Sequence, residues 1–462
     1  MLFNSLLFLV FFLVITITYY LLPHKLRWMW LLAASSYFYM YFKPIYILII
    51  LFTIIVDYGA GILIEKSSGR ARKFYLILSL VTNIGVLAFY KYFNFLAGNL
   101  NILSGAFHGP QIPLLDFILP IGLSFHTFQA MSYTIEVYRR NQPAERHFGL
   151  YALYVMFYPQ MVAGPIERPQ HILPQLHRVN NFKSSNLITG FFFMAMGLFK
   201  KVVVADRLGL YVDPVFTNPH GHSALELLVA TYFFAFQIYC DFSGYSDIAI
   251  GTALVLGIEL MQNFNFPYLA SNISDFWKRW HISLSTWFRD YLYIPLGGSR
   301  VNFGVTCVNL LIVFMVSGLW HGANWKYLVW GLIHGLLLVA YQLLNKFNIR
   351  IKGLTFFKWL ITFNLVCLAW VFFRANTVID AFYILNKILT GNGFSYSANS
   401  LMSVHELWYC AFIIIALLLG ERYLRKAKDY SNAKKVLIIS GLALACYFLG
   451  IFNEAQFIYF QF

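Results

Sequence analysis

Ser317-Gly-Leu-Trp-His-Gly-Ala-Asn-Trp325 lies between two apolar runs, Val305–Val316 and Tyr327–Leu344, and its reading as a turn between membrane helices decides the fold. It sets one histidine, His321, in strongly apolar surroundings. Gly318 and Gly322 stand four apart, a spacing that lets membrane helices approach closely. Trp320 and Trp325 are expected to flank the imidazole, and Asn324 to bond it from the next turn. An ionisable group at membrane depth is costly, so His321 is a functional candidate by default. The competing reading is a histidine satisfied inside a helix bundle.

Working outward, the rest of the chain has the same character. Of its 462 residues 60% are hydrophobic and only 11% are charged. That excludes an ordinary soluble protein and fits an all-α, polytopic integral membrane protein. Aromatic residues reach 19%, which suits rings at bilayer interfaces and in tight helix packing. Apolar segments recur without a long polar linker. One integral-membrane domain, 1–462, is therefore expected, with a core over 117–345 and peripheral spans at 1–97 and 357–452. The net charge of +15 comes from short Lys/Arg clusters between apolar runs, whereas a nucleic-acid binder would show a basic face. The five cysteines are scattered without a CxxC or zinc pattern, so neither disulfides nor a metal site is expected.

Met1–Leu22 reads as a first membrane helix, not a removable signal. Trp28–Phe42, Ile45–Ile64, Phe74–Leu96 and Phe117–Val137 follow. Between them Lys25/Arg27, Lys66–Lys73 and Arg139–Arg146 fall on one side, which the positive-inside rule makes cytoplasmic. Phe148–Gln175 carries Pro159, Pro165, Pro169 and Pro174 and reads as a re-entrant segment or an interfacial hairpin. Leu187–Val204 ends in the basic pair Lys200-Lys201. Ala224–Gly257 contains Asp241 and Asp247, carboxylates costly in an apolar run and expected to pair with nearby arginines. Phe357–Phe373, Leu407–Leu419 and Val436–Phe452 complete the series, with a strongly basic loop, Arg422–Lys435, between the last two. Placing that loop inside turns the Trp320–Lys326 corner toward the outer side. The total is about 11 spans plus re-entrant or interfacial helices.

A second unusual stretch runs from Asn272 to Arg300. Asn272 is placed to cap a helix, with Asp275 three residues later. Phe276, Trp280, Leu284, Trp287 and Tyr291 recur as an apolar stripe, and Lys278, His281, Ser285 and Arg289 as a polar one. The helix is expected to end before Pro295. A plain interfacial anchor would look the same, but the polar stripe could also receive a phosphorylated or acidic ligand. Imidazole is the side chain whose ordinary pKa lies nearest neutrality, and it can take a proton from a hydroxyl nucleophile. Two such groups, His281 and His321, point to acyl transfer. His334, between Gly331 and Gly335, reads as packing, and His126 lies in a span as an outside candidate. His24, His108, His147, His171, His177, His220, His222 and His405 fall in or near loops. No Gly-x-Ser-x-Gly elbow, P-loop or dinucleotide fingerprint occurs.

Asp275-Phe-Trp-Lys-Arg-Trp-His-Ile-Ser-Leu-Ser-Thr-Trp-Phe-Arg-Asp-Tyr-Leu-Tyr-Ile-Pro-Leu-Gly-Gly298, followed by Gly318-Leu-Trp-His-Gly-Ala-Asn-Trp325, resembles the membrane-bound O-acyltransferase family, in its bacterial alginate O-acetyltransferase branch. Val162-Ala-Gly-Pro-Ile-Glu-Arg168 and Tyr239-Cys-Asp-Phe-Ser-Gly-Tyr-Ser-Asp247 extend the likeness nearly end to end. The resemblance implies that His321 matches the family's catalytic histidine and His281 its second, upstream polar residue. It further implies a cytoplasmic acyl thioester, such as acetyl-CoA, as donor substrate with no bound cofactor. The acceptor would be an extracytoplasmic, alginate-like polysaccharide, with an SGNH-type acetyltransferase as partner, at the bacterial plasma (inner) membrane. Lys278, Arg279, Trp280, Ser285 and Arg289 are the candidate donor-binding residues, and Trp320, Asn324, Asp241 and Asp247 the supporting ones. D-alanyl transfer to teichoic acid and peptidoglycan O-acetylation remain alternatives within the family. From another class, buried Asp241, Asp247 and His321 would suit a proton-coupled transporter, against which stands the lack of paired halves.

Overall fold

In hydrocarbon every backbone N–H and C=O must find its partner within the segment, so long apolar runs fold as helices. The computed structural model describes residues 1–116, 119–349, 354–391, 393, 401–424, 429–452 and 457–458. Among these no strand occurs, and nine helices are long and apolar enough to cross a membrane, with the shorter Leu6–Leu21 beside them. The all-α, multi-pass expectation holds. The expected start of a span at Phe117 and the basic residues Arg425, Lys426 and Lys428 lie outside the described residues. The chain divides into two compact units, 1–194 with 248–261, and 195–247 with 262–462.

The first unit begins with α1 (Leu6–Leu21), α2 (His24–Met40), α3 (Ile47–Lys66), α4 (Gly69–Leu87), α5 (Phe93–Ala106) and α6 (Leu123–Arg139). Helices α3, α4 and α6 pack together around a polar knot. Asp57 accepts from Ser79 Oγ at 2.6 Å and from Asn83 Nδ2 at 2.8 Å, and Ser79 also meets Thr134. The proline-rich piece is a hairpin of α7 (Phe148–Met156) and α8 (Pro169–His177). Every α7 residue from Gly149 to Met156 is buried, so this helix is interior to the unit. Gly149 is required there, because a Cβ would collide with the Trp28 ring. Basic turns meet on one face of the unit. Arg72 donates to the Val137 and Tyr138 carbonyls, Arg146 pairs with Glu65, and Trp28 stands edge-on to His147 at 4.6 Å.

The second unit lies wholly beyond residue 194, and the helices that span residues 194 and 247 are shared along the chain with the first. Helix α9 (Ser184–Leu198) passes through a wide turn, Phe199–Ala205, into α10 (Asp206–Thr217), and α11 (Ala224–Val255) follows. Next come the short α12 (Ile273–Trp277) and α13 (Ile282–Phe288). The hairpin α14 (Phe303–His321) and α15 (Trp325–Lys346) precedes α16 (Thr355–Arg374), α17 (Val378–Thr390), α18 (Val404–Leu424) and α19 (Asn432–Leu449). The two helices of the hairpin approach closely, and glycine explains why. A Cβ at Gly318 would strike the Tyr327 carbonyl, and one at Gly331 the Phe314 carbonyl. Small residues thus let the two backbones touch, as the sequence spacing indicates.

Candidate active site

His321 is the last residue of α14, where Gly322 turns into extended backbone and Asn324 starts α15. It is buried, at 3% exposure. Three rings wall it edge to face: Trp320 at 5.0 Å, Trp330 of α15 at 5.1 Å and Phe373 of α16 at 5.3 Å. Trp330 stacks on Trp370 at 5.8 Å, and Trp370 donates to the Tyr268 hydroxyl at 3.1 Å, which in turn bonds the Ala235 carbonyl. The imidazole therefore sits in an aromatic box whose walls are fixed from three directions. Such surroundings have few polar groups to compete for a reacting proton, which strengthens any hydrogen bond made inside.

Two expectations about this corner change. Asn324 does not bond the imidazole; it is exposed, and its side chain accepts from the Lys326 N–H at 3.0 Å as the cap of α15. Trp320 flanks the ring as expected, but Trp325 is 56% exposed, and the other walls are Trp330 and Phe373. Both replacements lie on other helices, where a reading of sequence neighbours could not reach.

The continuous amphipathic helix expected after Asn272 is also corrected. Asn272 does cap it, accepting from Asp275 N–H at 2.8 Å. The helix then breaks at Lys278–His281, resumes as α13 and ends in a wide turn over Arg289–Tyr293. His281 adopts left-handed backbone with φ +42°, strained for a residue with a Cβ. Extended chain at Asn263–Asn265 stitches the break, through Asn265 N–H to the Arg279 carbonyl and Ile282 N–H to the Asn263 carbonyl, both at 2.9 Å.

The break undoes the polar stripe. His281 is fully buried while Lys278 and Arg289 are exposed, and Arg279 and Arg289 pair with Asp275 and Asp290 at 2.8 Å. Ser285 bonds the Trp280 carbonyl, and Trp280 packs on Trp370 at 5.0 Å. Of the five candidate donor-binding residues, only Trp280 joins the aromatic wall.

What holds His281 is a residue that sequence reading missed. Its Nδ1 lies 3.0 Å from Asn263 Oδ1, which also accepts from the Ser283 hydroxyl at 2.9 Å and the Ser283 N–H at 3.4 Å. A backbone N–H can only donate, so the amide oxygen faces this cluster, and Asn263 Nδ2 donates to Ser246 Oγ at 3.1 Å. His281 Nδ1 must then carry the proton, which leaves Nε2 as the basic nitrogen. Burial holds this imidazole down to about 3, so it is neutral at physiological pH. His281 and His321 both stand against Trp320, at 6.0 and 5.0 Å.

The other candidates fall elsewhere. Asp241 and Asp247 are paired as expected, but with lysines: Asp241 with Lys201 at 2.7 Å and Asp247 with Lys200 at 2.8 Å. Both lysine side chains are buried, and Lys201 also meets Asp206 at 2.9 Å. Tyr239, also on α11, donates to Glu421 of α18. His334 is fully buried against Trp277 at 4.9 Å and Trp330 at 5.0 Å. His126 is fully buried in the first unit, as is Glu167, which accepts from the Met261 N–H and from His171 Nδ1 at 2.7 Å. That bond raises the His171 imidazole. Among the described residues no cluster suited to a metal ion occurs.

Comparison with known proteins adds chemistry to this geometry. Residues 114–382 match the family model described as MBOAT, membrane-bound O-acyltransferase family. A peptidoglycan O-acetyltransferase of Helicobacter pylori is 34% identical, over 94% of this chain and 91% of its own. A probable alginate O-acetylase of Pseudomonas aeruginosa is 39% identical, over 82% of this chain and 73% of its own. A teichoic acid D-alanyltransferase of Bacillus subtilis is 28% identical, over 58% of this chain and 71% of its own.

Proposed function

We propose a reaction for this chain, which belongs to the membrane-bound O-acyltransferase family: transfer of acetyl from a cytoplasmic thioester to a hydroxyl of an extracytoplasmic glycan. The observation that carries the assignment of roles is the aromatic box around His321 at the end of α14. There the imidazole takes the proton from the acceptor hydroxyl as its oxygen attacks the thioester carbonyl. The C–S bond breaks, the new ester C–O bond forms, and the thiolate leaves with the proton that the imidazole had taken. His281, presenting Nε2 as acceptor because Asn263 fixes its Nδ1–H, orients a second polar hydrogen of donor or acceptor. Acetyl-CoA is the donor, drawn to the basic inner turns by its phosphates. In the bacterial inner membrane an SGNH-type acetyltransferase stands outside as the partner and presents the glycan hydroxyl to this site.

Acetyl is favoured over D-alanyl because relatives named for acetylation are similar over more of this chain. Alginate-like and peptidoglycan acceptors are separated by experiment. Ester-linked acetate is measured on exopolysaccharide and on peptidoglycan from cells making the wild type or His321→Ala. Acetate on one glycan, lost in the variant, supports the proposal and names the acceptor. Unchanged acetate on both with the variant as the sole enzyme of this kind refutes it.

A further inference from the structure

The histidine pair lies wholly in the second unit, yet the first unit holds a cleft of its own, of about 330 Å³. It opens where the α1–α2 turn meets the start of α7 and the end of α8. Lys25, Arg27, Trp28, His147, His177 and Arg178 are among its lining residues. Arg27 is held in place before any ligand arrives. Its Nε donates to the Leu22 carbonyl at 3.0 Å and its Nη1 to the Asn180 carbonyl at 2.6 Å, and the guanidinium lies over Tyr19 at 4.9 Å and Tyr20 at 5.7 Å. Those two bonds go to neutral carbonyls, and the guanidinium also bonds the Tyr19 side chain, so none of these partners carries a charge.

No carboxylate among the described residues pairs with Lys25, Arg27 or Arg178. The acidic residue nearby, Glu145, is engaged with His177 Nε2 at 2.7 Å and the His147 N–H at 2.8 Å. A basic turn that served only to orient the chain in a membrane would need neither concavity nor a clamped guanidinium. Three cations without a counter-charge around an aromatic-walled cleft form instead a receptor for an anion. A planar guanidinium matches phosphate oxygens in particular. The cleft also lies on the face where the basic turns of this unit gather, the level at which basic pockets between membrane helices meet phosphate head groups.

We propose that this cleft binds a phosphate-bearing ligand through Arg27, Lys25 and Arg178. The phosphate belongs either to the head group of an anionic phospholipid or to a soluble nucleotide-type thioester. The proposal does not depend on the roles given to His321 and His281, and its readout is binding alone.

The test uses the full chain purified in neutral detergent, with native mass spectrometry to count retained ligand. The probes are phosphatidylglycerol, phosphatidylcholine as zwitterionic control, and coenzyme A. Wild type is expected to retain phosphatidylglycerol or coenzyme A over phosphatidylcholine. Arg27→Gln tests the clamped residue, but it also removes two bonds that hold backbone. The decisive variant is therefore Lys25→Glu with Arg178→Glu, whose side chains make no such bonds among the described residues, and it should bind at least about tenfold more weakly. Retention of phosphatidylglycerol unaffected by coenzyme A identifies a lipid site, and the reverse a nucleotide site. Equal retention by wild type and the double variant, or no retention of either anion by wild type, overturns the proposal.

Discussion

His281 is the residue whose setting was least visible beforehand and whose chemistry is most sharply defined by its contacts. Its pKa lies well below the ordinary histidine value, so the imidazole is neutral at every pH above about 3. A profile of activity between pH 5 and 8 should therefore carry no ionisation from it. Asn263→Asp keeps an acceptor against Nδ1–H but adds a negative charge, which favours the protonated ring and moves its pKa up. The variant should lose activity at a higher pH on the acid side than wild type; superimposable profiles would contradict the assigned tautomer. Asn263→Leu leaves three donors unanswered and should lower kcat by about tenfold or more at unchanged fold, as measured by single-turnover acyl transfer. The sequence put His281 and His321 forward through residue type and apolar surroundings alone. It could not offer Asn263, because that bond crosses 18 positions without a regular period between the two residues.

At the level of elements, the α14–α15 hairpin and the buried charges of α9–α11 make separable claims. Gly331→Ala would place a Cβ against the Phe314 carbonyl, whereas at Gly335 the nearest atom is a movable Leu311 methyl at 3.1 Å. Gly331→Ala should destabilise by about 1–3 kcal/mol and Gly335→Ala by clearly less, read from thermal unfolding in detergent. Equal effects would mean that the hairpin is not closed by backbone contact. Lys201→Met strands Asp241 and Asp206 in the interior, a loss of about 3–5 kcal/mol for a broken buried pair. The same substitution at exposed Lys278 should be nearly neutral in the same melt. Here periodicity misled in one place. An apolar stripe from Phe276 to Tyr291 reads as one helix, but Asn263 and Asn265 offer backbone partners at Lys278–Ile282, and those tertiary bonds favour a break. The Gly318 spacing, by contrast, was legible because close approach depends on residue size alone.

Over the whole molecule, fold class followed from composition, since a chain this apolar has few ways to satisfy its backbone except helices. Basic turns of the first unit do gather on one face, as the positive-inside reading of Lys25, Arg72 and Arg146 requires. Composition did not identify Lys200 and Lys201 as the interior partners of Asp247 and Asp241, for which arginines were expected. A charge pair divided between two helices leaves no local trace. Of the rings that wall His321, Trp320 was legible as its sequence neighbour, whereas Trp330 and Phe373 were hidden because they come from helices that only folding brings against it. The central claim is that His321 acts in acyl transfer from a thioester. Its most direct test is release of free thiol from acetyl-CoA by the purified full-length protein in lipid with a glycan acceptor, wild type against His321→Ala. Release by wild type and a fall of at least about a hundredfold in a folded variant are expected, while equal release from both would remove His321 from the chemistry.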